Sequence, residues 1–307
     1  MQPGGAEGRV VDGRYLLEQP LGQGGLGTVY RARDLQDEGR LVAVKFLNAS
    51  TPRHVQRFVR EFRAIASVRH PHVVAAVAFG QCELGPYLVM EHVDGQHLDR
   101  AVRQAREGRA RAGETPDPWD TCRGPLVQLL GTLADLHDRG LVHRDLKPAN
   151  ILVDGAGQVH LLDFGLVRVQ DESEDLTSSG AVVGTLRFMA PEQLEGRSVD
   201  ARADLFAVGV MAWELLTGQP PFRASGIAGL VMEHRHGPRR RPRSVEPRIA
   251  PALEEILLRL LAREPRERFA SAAEVLRALR EGGLIPEDGE PSPRRAPAVG
   301  VSILPAI

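Results

Sequence analysis

Lysine is almost missing from this chain. Of 39 basic residues in 307, only Lys45 and Lys147 are lysine and the other 37 are arginine. Cysteine is nearly as scarce: Cys82 and Cys122 stand far apart with no CxxC spacing, which excludes a disulfide framework and a cysteine zinc site. No stretch approaches the roughly 18 apolar residues of a membrane span. Residues 1–10 contain no apolar core of a signal peptide. A formal net charge of −1 removes the chain-wide cationic field that steers binding to nucleic acid. These absences predict a cytoplasmic chain with neither a membrane span nor nucleic acid as a partner, and they leave the oligomeric state open. The ten histidines are scattered, and the one close pair in a polar stretch, His234 and His236, is expected in a solvated loop.

The two lysines then stand out. A guanidinium is a planar fork suited to carboxylates, whereas an ammonium is a compact point charge on a flexible stem. Lys45 closes the strand-like run Leu41-Val42-Ala43-Val44, and Lys147 lies in His143-Arg144-Asp145-Leu146-Lys147-Pro148-Ala149-Asn150. Both placements suit point contacts to phosphate oxygens.

Periodicity divides the chain. Residues 15–93 are mostly strand-like, with one helix after Pro52 whose Val55, Phe58, Val59, Phe62 and Ile65 recur at helical spacing. Glu61 flanks that stripe. From 96 to 280 the pattern is helical. One helix carries Leu126, Leu129, Leu130, Leu133 and Leu136 and stops at Gly140, another spans 204–217 before Gly218, and a third follows Pro251. Ser271-Ala272-Ala273-Glu274 has capping-box spacing for the last helix. The Pro/Gly-rich stretch 103–124 reads as a surface insertion. The domain expectation is a tail at 1–11, a domain at 12–281 and a Pro-rich flexible tail at 282–307.

Gly22-Gln23-Gly24-Gly25-Leu26-Gly27 contains G-x-G-x-x-G, a weak signal by itself. Thr28-Val29-Tyr30-Arg31-Ala32 continues it as a strand rather than a helix, which favours a strand–loop–strand flap over phosphates to a dinucleotide-binding turn. The run 143–150, Asp163-Phe164-Gly165 thirteen residues later, Val42-Ala43-Val44-Lys45, Gly184-Thr185 and Ala190-Pro191-Glu192 follow in one order. Together they resemble the eukaryotic-type Ser/Thr protein kinases, most closely the bacterial branch, over residues 15–280. The resemblance implies an α+β, two-lobed fold, with a small β-rich N-lobe at 12–91, a hinge at 91–95 and a larger α-helical C-lobe at 96–281.

It also implies roles. Asp145 orients and deprotonates the attacking hydroxyl, Lys147 neutralises the γ-phosphate, and Lys45 holds the α/β-phosphates with Glu61 as its partner. Asn150 and Asp163 are the implied Mg²⁺ ligands. ATP would be covered by Leu21, Gly22, Gly24 and Gly27 and sandwiched by Val29, Ala43 and Leu152. Met90 would lie behind the base, with the backbones of Glu91 and Val93 reading its edge. His143 and Phe164 would stack with Ile65 in a spine. Arg57, Arg144 and Arg168 would receive a phosphate on Thr177 or Ser179. Glu192 and Arg268 would form a buried pair, and Asp204 would anchor the catalytic-loop backbone. The activity implied is Mg-ATP-dependent phosphorylation of protein serine and threonine, with autophosphorylation as activator. A pseudokinase scaffold and a small-molecule phosphotransferase of related fold remain the alternatives. Arg239-Arg240-Arg241-Pro242-Arg243 reads as a solvated loop or, alternatively, as a dock for an acidic partner.

Overall fold

The computed structural model describes residues 5–24, 27–47, 68–162, 186–224, 226–287 and 302–303. They fall into two compact units, one of residues 1–94 with 294–307 and the other of residues 95–293.

The first unit is a sheet. Strands β1 (Val10–Val11), β2 (Tyr15–Gly24), β3 (Gly27–Asp34), β4 (Arg40–Leu47), β5 (Ala76–Cys82) and β6 (Gly85–Glu91) lie in the order β1-β2-β3-β4-β6-β5. A two-residue strand, 302–303, adds in parallel to the β5 edge. Because strand side chains alternate faces, Val42, Val44 and Phe46 of β4 enter one core with Tyr15, Leu17, Tyr30, Ala32, Tyr87 and Val89. All three tyrosines of the chain meet there. Tyr15 and Tyr87 pack edge to face at 6.2 Å, as do Tyr30 and Phe46 at 6.0 Å, an arrangement the ring quadrupoles favour. The Tyr87 hydroxyl donates to Asp12, and burial pushes its pKa well above the usual phenol range. Arg14 forks onto Asp34 at 2.8 and 2.6 Å. The expected tail at 1–11 is therefore not loose from residue 6 onward: Ala6 and Val11 are buried in this core. Their small apolar side chains cover the tyrosines, a packing role that no local periodicity reveals.

The second unit is mainly helical. Strands β7 (Gly95–His97), β8 (Ile151–Asp154) and β9 (Val159–Leu161) form a small sheet. The helices are α1 (Leu98–Arg111), α2 (Pro118–Asp138), α3 (Pro191–Leu194), α4 (Arg202–Thr217), α5 (Ile227–His236), α6 (Pro242–Val245), α7 (Pro251–Leu260) and α8 (Ala272–Glu281). α4 is buried on nearly every side and ends where Gly218 turns left-handed at φ 69°.

Three expectations need correcting here. The stretch 103–124 is not an insertion but most of α1 and the start of α2. Pro118 occupies the first turn, Asp117 caps it by accepting from Trp119 N at 2.7 Å, and the charges of α1 lie on its solvent side except Arg106, which reaches in to donate to Leu215 O at 2.7 Å, while Val102 is buried. His234 is not in a solvated loop; it is 2% exposed in α5, between Phe206 and Phe222. The fold also continues beyond 282. Leu284 and Ile285 are buried, and Trp119 Nε1 donates to Leu284 O at 2.9 Å. At α8 Ser271 accepts from Glu274 N, and the Glu274 carboxylate returns to Ala270 N, one residue upstream of an ordinary capping box. Among the described residues no helix is long and apolar enough to cross a membrane.

Candidate active site

In the second unit α2 hands the chain to the loop 143–150. Gly140 takes a left-handed φ of 74°, and the Gly140 and Leu141 N–H groups close back on His137 O and Leu136 O. Asp204, buried in the first turn of α4, then gathers the loop. Its carboxylate accepts from His143 N and Arg144 N at 2.8 Å each and contacts His137 Nε2 at 2.9 Å. Arg144 stands at φ 67°, unusual for a residue with a Cβ. Such a backbone costs about 1–3 kcal/mol and persists where the surroundings over-determine it. Here they do: the Arg144 N–H is held by Asp204 and its carbonyl accepts from Gln193 Nε2 at 2.8 Å. Neither Gln193 nor His137 stood out in the sequence; Gln193's only local cue is that it directly follows Pro191-Glu192.

The fully buried His143 ring ties this loop to the next segment. Asp145 N donates to Nδ1 at 3.3 Å, so Nε2 carries the proton and donates to Leu162 O at 2.9 Å. Leu162 N in turn donates to Asn150 O at 2.8 Å. The residue before Asp163 is thus clamped on both sides to the loop bearing Asp145.

Asp145, Lys147 and Asn150 converge. Lys147 Nζ lies 2.8 Å from Asp145 Oδ2, and Asn150 Nδ2 donates to Asp145 O at 2.7 Å and to Oδ2 at 3.0 Å. The 3₁₀ turn Pro148–Asn150 brings Asn150 back toward Asp145. With its amide N–H₂ spent on Asp145, the Asn150 carbonyl oxygen is the end left for a cation. Below the site Arg268 grips Glu192 with two bonds of 2.7 and 2.8 Å. Its remaining donors go to the carbonyls of Ala262, Arg202 and Arg263.

In the first unit, strand register sets a second group. Lys45 lies opposite Val29 and Leu88, and Ala43 opposite Met90, so these five share the sheet face away from the tyrosine core. Lys45 is 7% exposed. Two glycines of the flap differ in cause. A Cβ on Gly27 would sit 1.7 Å from Phe46 O, so packing alone demands glycine there. Gly22 has open space around the same position and no left-handed φ. Nothing among the described residues requires it to be glycine, whereas a ligand approaching the backbone would. Gly24 pairs with Gly27 at the turn end of the β2–β3 ladder, and Leu21 is 47% exposed. Glu91 N is spent on Ala75 O at 3.0 Å, while Val93, between the sheet and β7, is half-buried. Leu152 lies in the second unit on β8, opposite His97 and His160. Glu61, Asp163, Arg57, Arg168, Thr177 and Ser179 lie outside the described residues, as do Ile65, Phe164 and Thr185. Arg144 is half-buried, and its Nε has no hydrogen-bond partner among the described residues.

Residues 15–278 match the protein kinase domain. The chain is 38% identical to the serine/threonine-protein kinase Pkn1 of Myxococcus xanthus, over 95% of this chain and 41% of that protein. It is 35% identical to the serine/threonine-protein kinase PknL of Mycobacterium tuberculosis, over 94% and 71%. Many such relatives are longer: the chain spans less than half of Pkn1 and of pkn3 from the same organism. Among solved structures the PknI kinase domain of M. tuberculosis superposes with a TM-score of 0.66 at 27% identity, covering 90% of this chain and 99% of that one. With a matching domain over most of its length and a two-unit fold of this kind, the chain belongs to the protein kinase family, among the eukaryotic-type serine/threonine kinases of bacteria.

Proposed function

We propose that the chain transfers the γ-phosphoryl group of Mg-ATP to serine and threonine hydroxyls of proteins. The observation that carries this reading is the Asp145–Lys147–Asn150 cluster, held by Asp204 and His143 in a backbone turn that costs energy to keep. Phosphoryl transfer passes through a loose transition state, so placement and charge are what a protein contributes. Mg-ATP, when bound, supplies the phosphoryl group and the cation that neutralises it. Asp145 orients the acceptor hydroxyl and takes its proton. Lys147 stands 2.8 Å from that carboxylate and offsets the charge gathering beside it.

Asn150, with Asp163, would hold the cation, since Mg²⁺ takes a few hard oxygens next to substrate phosphates. Lys45 would meet the α/β-phosphates, oriented by Glu61. Leu21, Gly22, Gly24 and Gly27 would cover them, with Val29, Ala43, Leu152 and the Glu91 and Val93 backbones around the base. Gly22 supports this fit, being a glycine that the described residues do not require. The cytoplasm, where ATP is abundant, is the compartment this reading needs.

We further assign activation to a phosphate on Thr177 or Ser179, gathered by Arg57, Arg144 and Arg168; charge-assisted bonds of this kind order a loop. Incubation with labelled Mg-ATP and a generic basic protein tests both steps. Label is expected on serine and threonine of the added protein, with a lag that pre-incubation with ATP removes. The Thr177→Ala/Ser179→Ala variant should stay slow after pre-incubation. Absence of label on any protein would overturn the transferase reading, and lag-free full activity of the variant would overturn the switch.

A further inference from the structure

The arginine run 239–243 is not the loose solvated loop its composition suggests. Pro242 is buried at the first turn of α6, and Ser244 Oγ donates to Arg241 O at 2.7 Å. The run is pinned between two adjoining concavities that share Arg239 and Arg240. One, of 240 Å³, also takes in Arg223 and Glu233. The other, shallower and of 660 Å³, takes in Arg241, Arg243 and Glu254.

The two carboxylates are largely spent. Glu233 accepts the Arg223 and Ala224 N–H groups at 2.7 and 3.0 Å and lies 3.4 Å from Arg239. Glu254 accepts Arg243 N at 2.8 Å and Arg241 Nε at 3.0 Å. The exposed guanidinium groups of Arg240 and Arg243 have no carboxylate partner among the described residues, and that of Arg223 meets only Gln219. Three uncommitted cations on a rigid, concave frame form an anion-binding surface rather than an ordinary solvated face. Its shape favours polypeptide over nucleic acid. The aromatic ring lining it, Trp213, is 2% exposed and offers no stacking surface to a base.

We propose that this face docks the acidic run Asp171-Glu172-Ser173-Glu174-Asp175 of a second copy of the chain. The run holds four acids in five residues, so its charge complements the three free arginines. The docking does not rest on the transferase reading.

The test is fluorescence anisotropy at low salt and without ATP, using a labelled peptide of residues 171–180 and the full chain. Arg240→Ser/Arg243→Ser, and separately a peptide with Asn and Gln in place of its four acids, should each raise Kd at least fivefold. Arg277→Ser, on exposed α8 surface, should leave Kd unchanged, and all variants should melt with the wild type. No binding by the wild type, equal binding by the double variant, or equal binding of the neutral peptide would overturn the proposal. So would tighter binding of a single-stranded oligonucleotide that displaces the peptide. Binding without phosphoryl transfer would sink the transferase reading and leave the dock standing; transfer without binding would do the reverse.

Discussion

Two ion pairs of the helical unit differ in kind. Arg268 and Glu192 are sealed from solvent, and every contact of the guanidinium is made inside the protein: both carboxylate oxygens, three backbone carbonyls and the Phe206 ring beneath it at 4.9 Å. Lys147 and Asp145 form one bond of 2.8 Å with the lysine 18% exposed. The first pair is saturated and joins α3, α4 and the segment after α7. The second is open on one side, with the ammonium at the end of an unbranched stem. In a chain with 37 arginines, the open pair uses one of the two lysines, a point charge, and the sealed pair uses the rigid fork.

Four experiments press on that contrast. Asp145→Asn keeps the volume and should reduce phosphoryl transfer by about 10²–10⁴-fold, the usual worth of a positioned general base, while the melting curve stays close to wild type. A rate within tenfold of wild type would place the chemistry elsewhere. Arg268→Met should act the other way round, costing about 3–5 kcal/mol of stability by stranding the Glu192 carboxylate, with far less effect on transfer per folded molecule. Adding Glu192→Leu should restore part of the loss in urea titrations, since it is the unpaired charge that is costly. If the single variant is as stable as wild type, the pair is not the clamp described.

The third experiment concerns His234, which neighbours the saturated pair. Burial, and secondarily the charge of Arg268, lowers its pKa to about 4, and neither ring nitrogen has a hydrogen-bond partner among the described residues. The unfolded chain binds this proton near the ordinary value of about 6.5 and the folded chain does not. Stability from this group is therefore complete above about pH 6.5 and is lost as the pH falls toward 4, by about 3 kcal/mol in all. His234→Leu should flatten that window in denaturation measured against pH; an unchanged profile would mean the ring is solvated. The smallest effect is expected at Lys45→Arg, which keeps the charge but loses the point contact and should slow transfer at least tenfold, about 1.4 kcal/mol. Near wild-type turnover there would weaken the distinction between fork and point charge.

The site was legible where its chemistry is local. Asp145, Lys147 and Asn150 fall within six residues, so a short motif is enough to bring them together. The residues around Lys45 were named through the family resemblance, and the strand register then carries Val29, Ala43 and Met90 to the same side. Misreadings came where a tertiary contact decides. Gly and Pro within 103–124 resemble loop punctuation, but Pro118 begins a helix and Pro125 is tolerated inside it because α2 packs closely against α8 and α4. His234 looked polar because its apolar neighbours Phe206 and Phe222 are 28 and 12 residues away in sequence.

By itself the sequence determined which groups are present and their order: two lysines, the single acid of the 143–150 loop and the strand and helix periods that carry them. Their residue types set charge, and their spacing sets which face they share. Only the tertiary structure decided the state in which those groups are held. The left-handed turn at Arg144, the Nε2-protonated form of His143 and the enclosure of Arg268 each depend on partners far along the chain, Asp204, Leu162 and Glu192. A backbone that costs energy is kept only where packing brings such partners within hydrogen-bond reach.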